Sequence, residues 1–130
     1  MKILSVKTYG VKLKATIQAT GKLGFPKTTS DVLGFETRKY IKFAQGDNDD
    51  KELYLIVSES ENEDAFKLSI SSGYYSLNTK GLFDALDLDY KNKTIIFDLQ
   101  RIVSLDNELV GEVYKMVYRE IPKTDKSMES

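Results

Sequence analysis

The chain contains no cysteine, no histidine and no tryptophan, and only two prolines. Without cysteine there is neither a disulfide framework nor thiolate chemistry. Without histidine the commonest general base is missing, and the two absences together remove the usual zinc ligands. Most hydrolase, transferase and zinc-site chemistries therefore have no residues to run on. A Gly-rich phosphate loop is missing too, as is a serine in an elbow pattern. Asp84, Asp87 and Asp89 have a spacing reminiscent of calcium loops, but the stretch lacks the glycine and the distal glutamate such a loop needs, and Leu88-Asp89-Tyr90 reads as a helix exit. The expectation is a protein that is not an enzyme and uses no cofactor or metal. Nor is there a run of about 18 apolar residues, and the opening MKILSVKTYG lacks the apolar core of a signal peptide. A soluble, cytoplasmic chain with no membrane association is expected.

What is present reads as β structure. A length of 130 residues with 41% hydrophobic and 30% charged content suits one domain with a real core. In Lys12 to Ala19 the residues Leu13, Ala15, Ile17 and Ala19 share one face, and Lys12, Lys14, Thr16 and Gln18 share the other. A short strand from Lys22 to Phe25 follows and stops at Pro26, which cannot donate to a ladder. Thr28, Thr29 or Ser30 then caps a short helix carrying Val32 and Leu33, with Gly34 as its left-handed stop. Strands over Arg38 to Gln45 and Glu52 to Ser58 flank a turn at residues 46–50. Further on, Phe66 to Ser71 and Tyr74 to Leu77 read as strands around Ser72-Gly73. Asn78 or Thr79 caps a helix with Leu82, Phe83 and Leu86 on one face, and Lys93 to Val103 and Leu109 to Tyr118 form a last hairpin. An extra strand, Ile3 to Tyr9, precedes all of this.

The two stretches repeat each other. Gly21 aligns with Gly73, Phe25 with Leu77, Leu33 with Leu86, Phe35 with Leu88, Ile41 and Phe43 with Ile95 and Phe97, and Glu52-Leu53-Tyr54 with Glu112-Val113-Tyr114. The offset grows from 52 to 60 along the way, with the insertions at positions that read as turns. The expected fold is mainly β (α+β): two β-β-α-β-β repeats, at about residues 12–59 and 65–120, forming one compact barrel-like domain over residues 1–121. Residues 122–130 are polar and without periodicity, as in a disordered tail.

The net charge of −1 is unevenly spread. Residues 1–45 carry nine basic side chains against two acidic ones, +7, and residues 46–64 carry eight acids against Lys51, −7. A basic face beside an acidic segment is the expected result.

Gly21-Lys22-Leu23-Gly24-Phe25-Pro26, Leu33-Gly34-Phe35 and Tyr40-Ile41-Lys42-Phe43 together resemble the AbrB and MazE type of swapped-hairpin DNA-binding domain. Its pattern is Gly-Arg, alternating apolar residues, Pro, a short helix ending Leu-Gly-apolar, and a strand. The resemblance implies a tandem of such units fused in one chain, a monomeric pseudo-dimer or a homodimer, binding double-stranded DNA as a transcriptional regulator or accessory factor. Lys22 matches the family's basic position after the glycine. Departures are Lys22 for Arg, Thr29 at an apolar helix position, and Arg38-Lys39 for Gly-Asp; the second copy has Tyr74 and Asn78 where the first has Lys22 and Pro26. The residues expected on phosphates are Lys12, Lys14, Lys22, Lys27, Arg38, Lys39 and Lys42.

Two other functional classes fit the same residues. Eight Tyr and six Phe suit a stacking platform for single-stranded nucleic acid of the Whirly or transcriptional-coactivator type, with Tyr74 and Tyr75 as base stackers and Tyr90 and Tyr118 as further exposed aromatics. The phenylalanines at alternation positions, Phe25, Phe35, Phe43, Phe83 and Phe97, are expected in the core. A sequence pI near 5.5 and the acidic run at residues 59–64 suit instead a protein-interaction or assembly module with a protein partner and no nucleic-acid role.

Overall fold

Alternation in the first described strand sets the pattern for the whole sheet: Ala15 and Ile17 point into the core while Lys14 points to solvent. A computed structural model describes residues 12–46, 52–61, 63–102 and 112–122. Elements run β1 (Leu13–Ile17), β2 (Leu23–Phe25), α1 (Lys27–Leu33), β3 (Tyr40–Gln45), β4 (Leu53–Ser58), β5 (Phe66–Lys67), β6 (Ser69–Ser71), β7 (Tyr74–Leu77), α2 (Lys80–Ala85), β8 (Lys93–Ile102) and β9 (Glu112–Pro122). The expected strand over residues 3–9 and the turn after Gly46 lie outside the described residues. So does the expected tail, apart from Pro122, which ends β9.

All nine strands belong to one antiparallel sheet in the order β5-β3-β4-β9-β8-β1-β2-β7-β6. Its two outermost strands are successive in the chain, separated only by Leu68. The Leu68 side chain is buried, and its N–H donates to the Lys39 carbonyl at 2.8 Å. One run of residues therefore spans both edges and nearly closes the sheet into a barrel. The run expected as a single strand, Phe66 to Ser71, is thus two short strands facing different neighbours, β3 and β7.

The core fills the barrel. Phe25, Phe35, Phe83 and Phe97 are buried, and Phe43 packs against them half-buried. Phe25 meets Phe35 edge-on at 4.9 Å, and Phe83 lies 6.3 Å from Phe43 and 6.2 Å from Phe97. Each such ring removes apolar area from water worth about 1.5–3 kcal/mol. Ala19, expected on the inward face of β1, is exposed because the strand has already turned at Gln18.

Both helices end the same way. Gly34 (φ 72°) and Asp87 (φ 58°) occupy the left-handed region after α1 and α2. The next residue's N–H reaches back five residues in each case: Phe35 to the Ser30 carbonyl and Leu88 to the Phe83 carbonyl, both at 3.1 Å. The helix starts differ from expectation. Pro26 sits at the start of α1, and neither helix has a side-chain cap. The threonines expected as caps bond β strands instead. Thr29, buried in α1, accepts the Lys14 N–H at 3.1 Å and donates to the Lys14 carbonyl at 2.9 Å. Because β2 pairs with β1 only at Thr16 and Ile17, Lys14 has no strand partner among the described residues on that side, which explains a hydroxyl at a helix position that is apolar in the swapped-hairpin pattern. Thr79, also buried, accepts the Leu23 N–H and donates to the Gly21 carbonyl, both at 3.0 Å. Gly21 (φ 89°) lies so close to α2 that a Cβ there would meet Lys80 Cβ at 2.8 Å.

Candidate nucleic-acid interface

Strand register decides where the basic residues go. Lys14 points outward from β1, opposite Asp98 of β8, and exposed Lys12 precedes it on the same side. On β9 the same outward parity carries Lys115, opposite Gln100, and Arg119. Arg119 holds Asp98 through a two-pronged contact, Nε to Oδ2 at 3.0 Å and Nη2 to Oδ1 at 3.1 Å. That guanidinium holds the Asp98 carboxyl below its ordinary range, and Lys12 and Lys14 add to the effect. Among the described residues of this three-stranded face, the outward positions thus carry four cations and one carboxylate. Lys12, Asp98, Gln100 and Arg119 line a shallow depression of about 570 Å³ there.

The remaining residues expected on phosphates do not share this face. Lys22 is exposed in the turn before β2. Lys27 opens α1 and pairs with Asp31 at 3.4 Å across an exposed helical turn. Lys39 and Lys42 belong to the β3 side of the barrel, and three strands lie between β3 and β1 by way of β4, β9 and β8. The described cations of the +7 block are therefore divided around the outside of the barrel. Arg38 is committed to the fold: its Nη1 lies 2.8 Å from Glu112 Oε1, and its Nη2 donates to the Leu33 carbonyl at the end of α1. Glu112 Oε2 also accepts from Tyr114 Oη at 2.6 Å, and Arg101 approaches to 3.9 Å. Burial pushes the Glu112 carboxyl up, but the Arg38 and Tyr114 hydrogen bonds outweigh it and leave the group below its usual range. Burial and the same bond push the Tyr114 hydroxyl well up.

The expected stackers separate into two kinds. Tyr74 is 42% exposed, with its hydroxyl lying over Gly24 of β2. Tyr75 turns inward, edge-on to Phe35 at 5.6 Å. Tyr90, expected at the surface, is 2% exposed, because its hydroxyl donates to Asp84 while its ring joins the core. Tyr118 is exposed on one side, donates to Glu120 at 2.6 Å and meets Phe97 edge-on at 5.9 Å. Burial, then that bond, push its hydroxyl up to about 12.

Lys115 and Arg119 lie outside the basic block of residues 1–45, and the local signal for them is the alternation through Lys115, Val117 and Arg119. Among the described residues no group of three or more His, Cys, Asp or Glu could hold a metal ion, and no helix is long and apolar enough to cross a membrane. No family model, curated protein or solved structure matches the chain.

Proposed function

We propose that this protein binds double-stranded DNA as a regulator or accessory factor, through phosphate contacts from the outward face of β1, β8 and β9. The observation that carries the reading is that Lys12, Lys14, Lys115 and Arg119 share one outward face with a single carboxylate, Asp98. Such a surface favours a polyanion without reading bases, so affinity falls steeply with salt.

The tandem swapped-hairpin architecture belongs to the same proposal. Exchanging β1 with β5 and β6, β2 with β7, β3 with β8 and β4 with β9 returns the same cyclic strand order. The strands that meet their own counterparts are β2 with β7, where Gly24 faces Ser76, and β4 with β9. These pairings support a fused pseudo-dimer. The second copy brings no cations equivalent to Lys12 and Lys14, so the footprint is one-sided. A single-strand platform draws less support, since Tyr74 and Tyr118 sit on strands separated by β8, β1 and β2.

The test is fluorescence anisotropy with labelled duplex and single-stranded DNA across a salt series. Duplex binding is expected, and Lys14→Glu with Lys115→Glu should flatten the slope of log affinity against log salt by about two, at about 0.9 per phosphate contact. Lys67→Glu, exposed on β5, should change it little. No duplex binding at low salt, or an unchanged slope in the double variant, would overturn the proposal.

A further inference from the structure

We infer that the cavity between the end of α2 and the strands β3, β4, β8 and β9 is a binding site for a small organic amine with an apolar or aromatic body. The cavity measures about 530 Å³, within the range of about 300–1,000 Å³ found for small-molecule sites. Its apolar lining is Leu53, Ala85, Leu86, Leu88 and Phe97, and its polar lining is Gln45, Asp87 and Tyr118.

The cavity has a local cause. After α1 the residue following the left-handed position is Phe35, which is fully buried between Phe25 and Tyr75. After α2 the same position holds Leu88, which is smaller and only half-buried. The space that Phe35 fills at one helix end is left open at the other. An open space lined by leucine and phenylalanine lacks packing partners, and an apolar body placed there recovers those contacts.

Charge and aromaticity at the mouth select the other half of the ligand. Asp87 is exposed on the lip. Glu120 accepts the Tyr118 hydroxyl, and the charge of Asp89 is felt at the same hydroxyl. Lys93 pairs with Glu120 at 3.1 Å, which leaves the carboxylates in excess. Tyr118 offers a ring 43% exposed, backed edge-on by Phe97. A cation near that face is attracted by the ring quadrupole as well as by Asp87. An anionic ligand meets net repulsion there, so this site is chemically distinct from the basic face of β1, β8 and β9.

The experiment is methyl-detected NMR titration of the full chain with three probes that share a benzyl group: 2-phenylethylammonium, benzyl alcohol and 3-phenylpropionate. Saturable shifts confined to the methyls of Leu53, Leu86 and Leu88 are expected, strongest for the ammonium and weakest for the carboxylate. Asp87→Asn, whose amide tolerates the left-handed conformation, should weaken the ammonium about fivefold and leave the alcohol unchanged. Leu88→Phe should abolish binding of all three by refilling the space. Shifts that fail to saturate, 3-phenylpropionate binding as tightly as the amine, or undiminished binding in a folded Leu88→Phe protein would each overturn the inference.

Discussion

Two residues carry strains and bonds that a change of one side chain would reveal. Asp87 adopts φ 58° at the end of α2, where Gly34 does the same work after α1 with φ 72°. A side chain in this region costs about 1–2 kcal/mol relative to glycine, partly offset here because Asp tolerates it better than most. Asp87→Gly is therefore expected to raise stability by about 1 kcal/mol, seen as a melting temperature about 4 °C higher. A lower melting temperature would show that the Asp87 side chain contributes more than its backbone costs. Thr79 is the reverse case. Its hydroxyl is buried and joins the Gly21 carbonyl and the Leu23 N–H to the start of α2. Thr79→Val keeps the shape but leaves both backbone groups without that partner, so denaturant unfolding should show a loss of about 1–3 kcal/mol. Thr28→Val, at an exposed position of α1, is the control and should be close to neutral.

Between elements, one ion cluster fixes the approach of β3 to β9. Arg38, in the segment between α1 and β3, reaches Glu112 at the start of β9, while Tyr114 and Arg101 close around the same carboxylate. The Glu112 pKa is depressed in the folded chain, so its contribution to stability is fully present above the unfolded value of about 4.3 and is lost as pH falls through the lower folded value. Asp98 acts in the same direction through Arg119. Chemical unfolding followed from neutral to acid pH should show stability declining below about pH 4.3. Glu112→Gln should lower stability at neutral pH and reduce that decline, and an unaltered acid profile would show that the cluster does not drive it. The seam formed by β5 and β6 is a short join, five residues on two strands where β8 and β9 share a ten-residue ladder. Hydrogen exchange is accordingly expected to be faster at Phe66 and Ile70 than at Ile96 and Phe97.

For the whole molecule the decisive feature is that each half of the chain completes its sheet with the other. Leu23 and Phe25 pair with Leu77 and Tyr75, and Leu53 to Val57 pair with Met116 to Glu112. A fragment of residues 1–62 should show no cooperative unfolding as a monomer, and mixing it with residues 63–130 should restore the native circular dichroism. A cooperatively folded monomeric fragment would contradict this interdependence. Much of the sheet was legible beforehand, because strands and helices follow from local alternation, Pro26, Gly34 and the Ser72-Gly73 turn, where both residues take positive φ. Single side chains with long-range partners were not legible: nothing local says that Thr29 serves Lys14, that Arg38 belongs to Glu112, or that Tyr90 is buried against Asp84. The candidate interface was half legible for the same reason. Lys12 and Lys14 could be read from β1 alone, whereas Lys115 and Arg119 join them only because β9 lies two places from β1 in the sheet. By itself the sequence determined the period of each element, the turns between them and which side chains are apolar, since these depend on neighbours within a few residues. Only the tertiary structure decided which strands meet, how the basic block divides around the barrel and where a cavity is left open, because register and closure depend on pairings between residues far apart in the chain.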